Sequence, residues 1–112
     1  MKINRELMKG STSILILSLL ENEDMYGYQI SQSLKERSKN VFDLKEGKLY
    51  PMLHGLENEN AVESYWFDAE NGKRRKYYRI TQYGKKLLSQ KKAEWTLYTD
   101  TINSVIGGVS FA

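Results

Sequence analysis

The chain has 112 residues, enough for one modest hydrophobic core and not for two. Its 17 Lys and Arg against 14 Asp and Glu leave a formal net charge of +3, and with no cysteine it has neither a disulfide framework nor a thiolate metal site. The most apolar run, Ile14 to Leu20, is shorter than a membrane span, and the amino terminus lacks the layout of a signal peptide, so a soluble, cytoplasmic protein is expected.

Taken in order, Asn4 suits the cap of a first helix running to about Glu21. Leu7, Met8, Ile14, Leu15, Ile16, Leu17, Leu19 and Leu20 leave its second half almost no polar face, which predicts burial on all sides. Glu21-Asn22-Glu23-Asp24 breaks the pattern. A second helix follows from about Tyr26 to Ser38, with Ile30 and Leu34 four residues apart, and Ser38-Lys39-Asn40 ends it. A third helix is expected from Lys45 or Glu46 to Asn58, where Leu49, Leu53 and Leu56 recur at helical spacing and Met52 widens the stripe. Pro51 opposes it, costing about 3 kcal/mol in a helix interior but little in a first turn, so the helix must begin near Gly47 or accept a weak opening turn.

The stretch from Ala61 to Ile80 reads as a β-hairpin. Glu70-Asn71-Gly72 fits a three-residue connection with Gly72 left-handed, whereas Asn71-Gly72 alone suits a two-residue turn. The two differ by one residue in register, and a slip of one exchanges the faces of a strand. The longer loop sets Val62 opposite Ile80 and Ser64 opposite Tyr78, which gathers the apolar residues at the hairpin base, so it is preferred. Lys73, Arg74, Arg75 and Lys76 then stand just past the turn. Protection of an exposed strand edge explains one or two such cations but not five, counting Arg79. They predict an anionic partner, which charge alone leaves open among nucleic acid, anionic lipid and acidic protein.

Thr81 suits the cap of a last helix from Gln82 at least to Ile106, which the Gly107-Gly108 pair frays or ends. Leu88, Trp95, Ile102 and Val109 fall at seven-residue intervals, with Tyr98 and Val105 three residues after Trp95 and Ile102, and Lys91 interrupts this second row. Such a helix, about 38 Å long, outreaches a body of this size. A homodimer is therefore expected, with Leu88, Trp95, Tyr98, Ile102 and Val105 at its interface and the apolar first helix beside them.

Three helices, a hairpin and a long helix make a mainly α winged helix-turn-helix plan with a small β-hairpin, in which the third helix reads the major groove and the hairpin reaches flanking backbone. Residues 1–80 would form the DNA-binding part and 81–112 the dimerisation helix. Lys45, Lys48, Tyr50 and His54 lie opposite the leucines as candidate DNA contacts, with the hairpin cations Lys73, Arg74, Arg75 and Lys76 aimed at phosphates. Tyr50 suits the core equally well. His54, the single histidine, has no Cys, Asp or Glu at metal spacing, so no metal site is expected there.

Met25-Tyr26-Gly27-Tyr28-Gln29-Ile30, Gly47-Lys48-Leu49-Tyr50-Pro51-Met52-Leu53-His54, and Gly72-Lys73-Arg74-Arg75-Lys76-Tyr77-Tyr78-Arg79-Ile80-Thr81 with Gly84 together resemble the PadR family of bacterial transcriptional regulators. The likeness covers nearly the whole chain, and its length resembles the small PadR-like subfamily, whose members are homodimers with one carboxy-terminal dimerisation helix. The resemblance implies a repressor on an inverted-repeat operator, released when a small molecule or stress signal changes the spacing of its two reading helices. It places the reading positions at Lys45, Lys48, Tyr50 and His54 and the wing positions at Lys73 to Lys76. Lys48 departs from the small hydroxylated residue common in the family.

In multidrug-sensing relatives a tryptophan at this place on the last helix stacks on planar aromatic drugs between subunits, and the step from Thr81 to Trp95 agrees with that placement. Filling the dimer seam accounts for Trp95 as well. In the drug-binding reading Lys91 would bring a cation into the pore and Ile14 would supply an apolar wall. No enzyme is expected: there is no Gly-rich phosphate loop, no cysteine, and no nucleophile-base pair around His54, and no cofactor is implied. The competing expectation is a protein-interaction module that docks its basic hairpin on an acidic partner or anionic membrane.

Overall fold

The chain is described from a computed structural model, which covers residues 10–107. Helix α1 spans Thr12–Asn22, and Ile16, Leu17, Leu19 and Leu20 are buried while Ile14 and Leu15 pack half-buried against the same core. Among the described residues this helix begins at Thr12, although Gly10 and Ser11 were expected inside it. Gly10 and Ser11 form a turn before it, which fits the poor helix propensity of glycine and the preference of serine for caps; Asn4 lies outside the described residues.

Met25 and Tyr26 form a short strand, β1, leading directly into helix α2, Gly27–Arg37. The Tyr26 amide donates to Gln29 Oε1 at 3.1 Å, so the side chain at the third helical position satisfies an amide that the helix itself cannot. Beyond α2, Lys39 and Asn40 adopt left-handed backbone, φ 52° and 71°, and turn the chain. Ser31 Oγ then donates to the Leu44 carbonyl at 2.8 Å, fastening the connection to α2.

Helix α3 spans Glu46–Asn58 with Pro51 inside it. The weak opening turn foreseen from Pro51 is held by the Lys48 and Leu49 amides, which both donate to the Lys45 carbonyl at 3.0 and 2.9 Å. Pro51 lacks the amide that would reach the Gly47 carbonyl, and because Gly47 is exposed, water can take that place. Leu49, Leu53 and Leu56 are buried, which offsets the poor local propensity.

Strands β2, Val62–Asp68, and β3, Arg74–Ile80, pair with Val62 opposite Ile80 and Ser64 opposite Tyr78, the register the apolar pattern selected. The Ala69 amide donates to the Lys73 carbonyl at 2.8 Å and the Gly72 amide to the Ala69 carbonyl at 2.9 Å, closing the three-residue loop with Gly72 at φ 79°. One strand escaped the sequence. β1 pairs antiparallel with β3, Met25 with Tyr78 and Tyr26 with Tyr77, making a three-stranded sheet in the order β1-β3-β2.

Helix α4 spans Gln82–Ile106. Thr81 caps it, its hydroxyl accepting from the Gly84 amide at 2.9 Å, and the left-handed Gly107 ends it by donating its amide to the Asn103 carbonyl. Gly84 sits where any Cβ would strike the Ala61 carbonyl, so the helix leaves the sheet at close range. Leu88 belongs to the same core as α1, α3 and the sheet, and Lys92 pairs with Glu21 at 3.7 Å. From Trp95 onward the large apolar residues of α4 are exposed, and the protomer, α4 included, measures 55 Å along its longest axis and 32 and 24 Å across. The arrangement is a winged helix-turn-helix with a long carboxy-terminal helix.

Candidate nucleic-acid interface

The buried leucine stripe of α3 fixes which of its residues face out. Lys48 and His54 are exposed, and Lys45, just before the helix, is exposed and pairs with Asp43 at 3.4 Å. Tyr50 is both partly exposed and partly packed. It is 38% exposed, yet its phenol end packs on Gly27, where a Cβ would collide with it. The first residue of α2 is a glycine where Tyr50 of α3 leaves no room for a Cβ.

The hairpin cations do not form one cluster. Side chains alternate across a strand, so Arg74 and Lys76 share the face of Val62, Ser64 and Trp66, while Arg75 shares the other face with Tyr65, Phe67, Tyr77 and Arg79. Lys73 belongs to the loop, its amide donating to Asn71 Oδ1 at 3.1 Å. On the first face the Arg74 guanidinium lies 5.4 Å from the centre of the Trp66 indole and Lys76 Nζ 5.7 Å from that of Tyr78. Ser64 Oγ donates to Glu57 Oε2 at 2.7 Å, tying that face to α3.

The opposite face is an aromatic cluster that was not anticipated. Tyr77 stands between Tyr26, Tyr65 and Phe67, with ring centres 5.4 to 5.8 Å away. Arg75 lies 4.4 Å over the Tyr26 ring. Arg79 lies over Tyr65 and also donates from Nε to Glu63 Oε1 at 2.9 Å, a contact that raises the Arg79 pKa further. Period-two aromatics at Tyr65, Phe67 and Tyr77 signal such a face; the part played by Tyr26 depends on β1 and was hidden.

Residues assigned to a dimer seam divide in two. Leu88 is 1% exposed inside the protomer's own core, so it has no surface to offer another chain. Trp95, Tyr98, Ile102 and Val105 are exposed along the free part of α4, Val105 at 80%, and Leu97 and Ile106 join them; Val109 lies outside the described residues. The three residues named for an effector do meet. Ile14, Lys91 and Trp95, with Gly10, Glu94 and Tyr98, line an open cavity of about 380 Å³ between α1 and α4. Among the described residues no group of His, Cys, Asp or Glu is placed to hold a metal, and no helix is long and apolar enough to cross a membrane.

An exposed polar edge on the second helix of a helix pair, beside a basic hairpin, defines a winged-helix DNA-binding protein. Residues 16–90 match the transcriptional regulator PadR-like family. An uncharacterised protein X of Lysinibacillus sphaericus is 36% identical over 107 residues, spanning 96% of this chain and 98% of its own. Among solved structures, a transcriptional regulator from Clostridium thermocellum superposes with a TM-score of 0.81 at 38% identity, over 88% of this chain and 96% of that one. A PadR-like transcriptional regulator from Bacillus cereus does so with a TM-score of 0.80 at 30% identity, over 93% and 99%. The chain belongs to the PadR-like family of transcriptional regulators, which implies regulation through DNA binding; the family's members are regulators of transcription and not enzymes.

Proposed function

We propose that this protein is a dimeric repressor that binds an inverted-repeat operator, with residues 1–80 as the DNA-binding part and 81–112 as the dimerisation helix. Lys45, Lys48, Tyr50 and His54 serve as the reading edge, and Lys73, Arg74, Arg75 and Lys76 hold phosphates. The observation that carries this reading is the shared footing of the two surfaces: Ser64 of the wing is bonded to Glu57 of α3, so reader and anchor form one rigid footprint. Support for a dimer comes from the exposed apolar row Trp95, Tyr98, Ile102 and Val105 on the part of α4 beyond Leu88, the last of its residues in the core.

The test is a gel shift against DNA upstream of the protein's own coding region. Binding should survive excess nonspecific competitor and weaken steeply with salt, each neutralised phosphate contributing about 0.9 to the logarithmic slope. Replacing Lys48 or His54 should alter sequence preference. Preference unchanged by both replacements contradicts the reading edge, and a hairpin that prefers an acidic protein or anionic vesicles to any duplex contradicts the whole reading.

The cavity beside Trp95 supports a planar aromatic effector at the same helix. Lys91 and Glu94 put both charge signs at its rim, and Trp95 and Tyr98, with ring centres 6.2 Å apart, offer stacking surfaces. Planar aromatic compounds should quench Trp95 fluorescence saturably in a protein whose Trp66 has been replaced. A broad panel without saturable quenching removes the effector from the proposal.

A further inference from the structure

Trp66 has no role in the reading above. It is 57% exposed on β2, an edge strand, although every other aromatic near the wing has a packing partner: Tyr65 and Phe67 meet Tyr77 on the outer face, and Tyr78 is buried. The ring contact described for Trp66 is to a cation, Arg74, and its cross-strand neighbour is another, Lys76. Pairing across the strands would be served by a smaller or more polar residue, whereas an indole left open among cations costs solubility on an edge strand.

We propose that Trp66 and Arg74 form a composite DNA contact, in which the indole packs into the minor groove flanking the site of α3 while Arg74 holds the adjacent phosphate. Ser64, two residues before Trp66 on the same face, is bonded to Glu57 of α3, so this is the side of the wing turned toward the reading helix. Apolar wedges set among Arg and Lys are how proteins engage the minor groove. A guanidinium lying over an indole face keeps its in-plane N–H donors free, so the same Arg74 can stack and still bind a phosphate oxygen. The inference rests on the DNA-binding reading and adds to it a sequence-tolerant contact that carries no charge of its own.

The chain has two tryptophans, so Trp95→Phe leaves Trp66 as the single fluorophore and Trp66→Phe leaves Trp95. Each variant is titrated with a mixed-sequence duplex at low salt, saturation is followed by gel shift, and acrylamide quenching is compared with and without DNA. DNA should shield Trp66 and leave Trp95 unchanged. Trp66→Ala should weaken duplex binding about tenfold, with the salt slope unaltered because no charge is lost, and Trp66→Phe should retain most of the affinity. If gel shifts show saturation while Trp66 stays as quenchable as before, or if Trp66→Ala binds as tightly as the parent, the contact does not exist and the DNA-binding reading stands. If the parent protein shifts no duplex, both fall together.

Discussion

The Tyr65 hydroxyl, on β2, donates a 2.7 Å hydrogen bond to Asp24 Oδ2, joining the wing to the connection before β1 across 41 residues of chain. The Asp24 carboxylate, accepting that bond, pushes the Tyr65 phenol above the ordinary value of 10.0, and burial adds to the effect. Tyr78 is pushed the same way, by burial first and the Glu57 charge second. A folded-state pKa raised above the unfolded one contributes stability that is present below the unfolded value and lost as pH rises through the folded one. The urea midpoint should therefore fall above about pH 10 on account of these groups. Tyr65→Phe should lower stability by about 1 kcal/mol at neutral pH and blunt the alkaline decline. An unchanged midpoint at neutral pH would mean that the bond contributes nothing.

Two glycines should respond oppositely to alanine. At Gly84 the new Cβ meets the Ala61 carbonyl and Ile80 Cγ1, and the carbonyl is fixed by the Thr81 amide at 3.0 Å, so neither side yields. Gly84→Ala should cost about 1–3 kcal/mol despite the better helix propensity of alanine. Gly55, inside α3, has nothing within 4 Å of an added Cβ, and Gly55→Ala should stabilise by about 0.5–1 kcal/mol. Urea unfolding of both variants measures the contrast.

Alternation along β3 separates neighbouring arginines by role. Arg74→Ala should weaken binding to every DNA sequence and reduce the logarithmic salt slope by about 0.9. Arg75→Ala should reduce the slope as well and in addition cost about 0.5–1 kcal/mol of stability, because its guanidinium is stacked on Tyr26 in the packed aromatic face. Equal stabilities for the two variants would refute the division of the wing into two faces.

The free row of α4 predicts its own disruption. The parent protein should sediment as a dimer at micromolar concentration, and Ile102→Lys with Val105→Lys should give a monomer of unchanged helix content by far-ultraviolet circular dichroism. A parent that sediments as a monomer under those conditions removes the dimer from the proposal.

Much of this fold was legible because the relevant signals are local. Val62 opposite Ile80 follows from the loop chemistry of Glu70 to Gly72, and the bounds of α4 follow from a threonine that can cap and a glycine that can turn left-handed. β1 was hidden because two residues are too few to display alternation, and Met25-Tyr26 reads equally well as the lead-in to α2. The heptad row through Leu88 was ambiguous for a different reason: an apolar position at helical spacing does not say whether its partner is in the same chain. Here Leu88 lies in the protomer's own core, so a seam between copies could begin only beyond it. In the candidate DNA site the exposed edge of α3 was readable from its leucines. The stacking of Arg75 on Tyr26 depended on the hidden β1, and Asp24 meeting Tyr65 had no local trace at all.

Tyr26 closes one strand, starts one helix through its amide and carries one wing arginine on its ring. Wing and helix pair therefore share a residue, so a shift of one draws on the contacts of the other. In a dimer built along α4, each half then behaves as a fixed stamp, and the adjustable dimension is the gap between the two stamps. If the proposed dimer releases DNA, a change in how the copies meet keeps the contacts of Tyr26 intact, whereas reshaping one half breaks them.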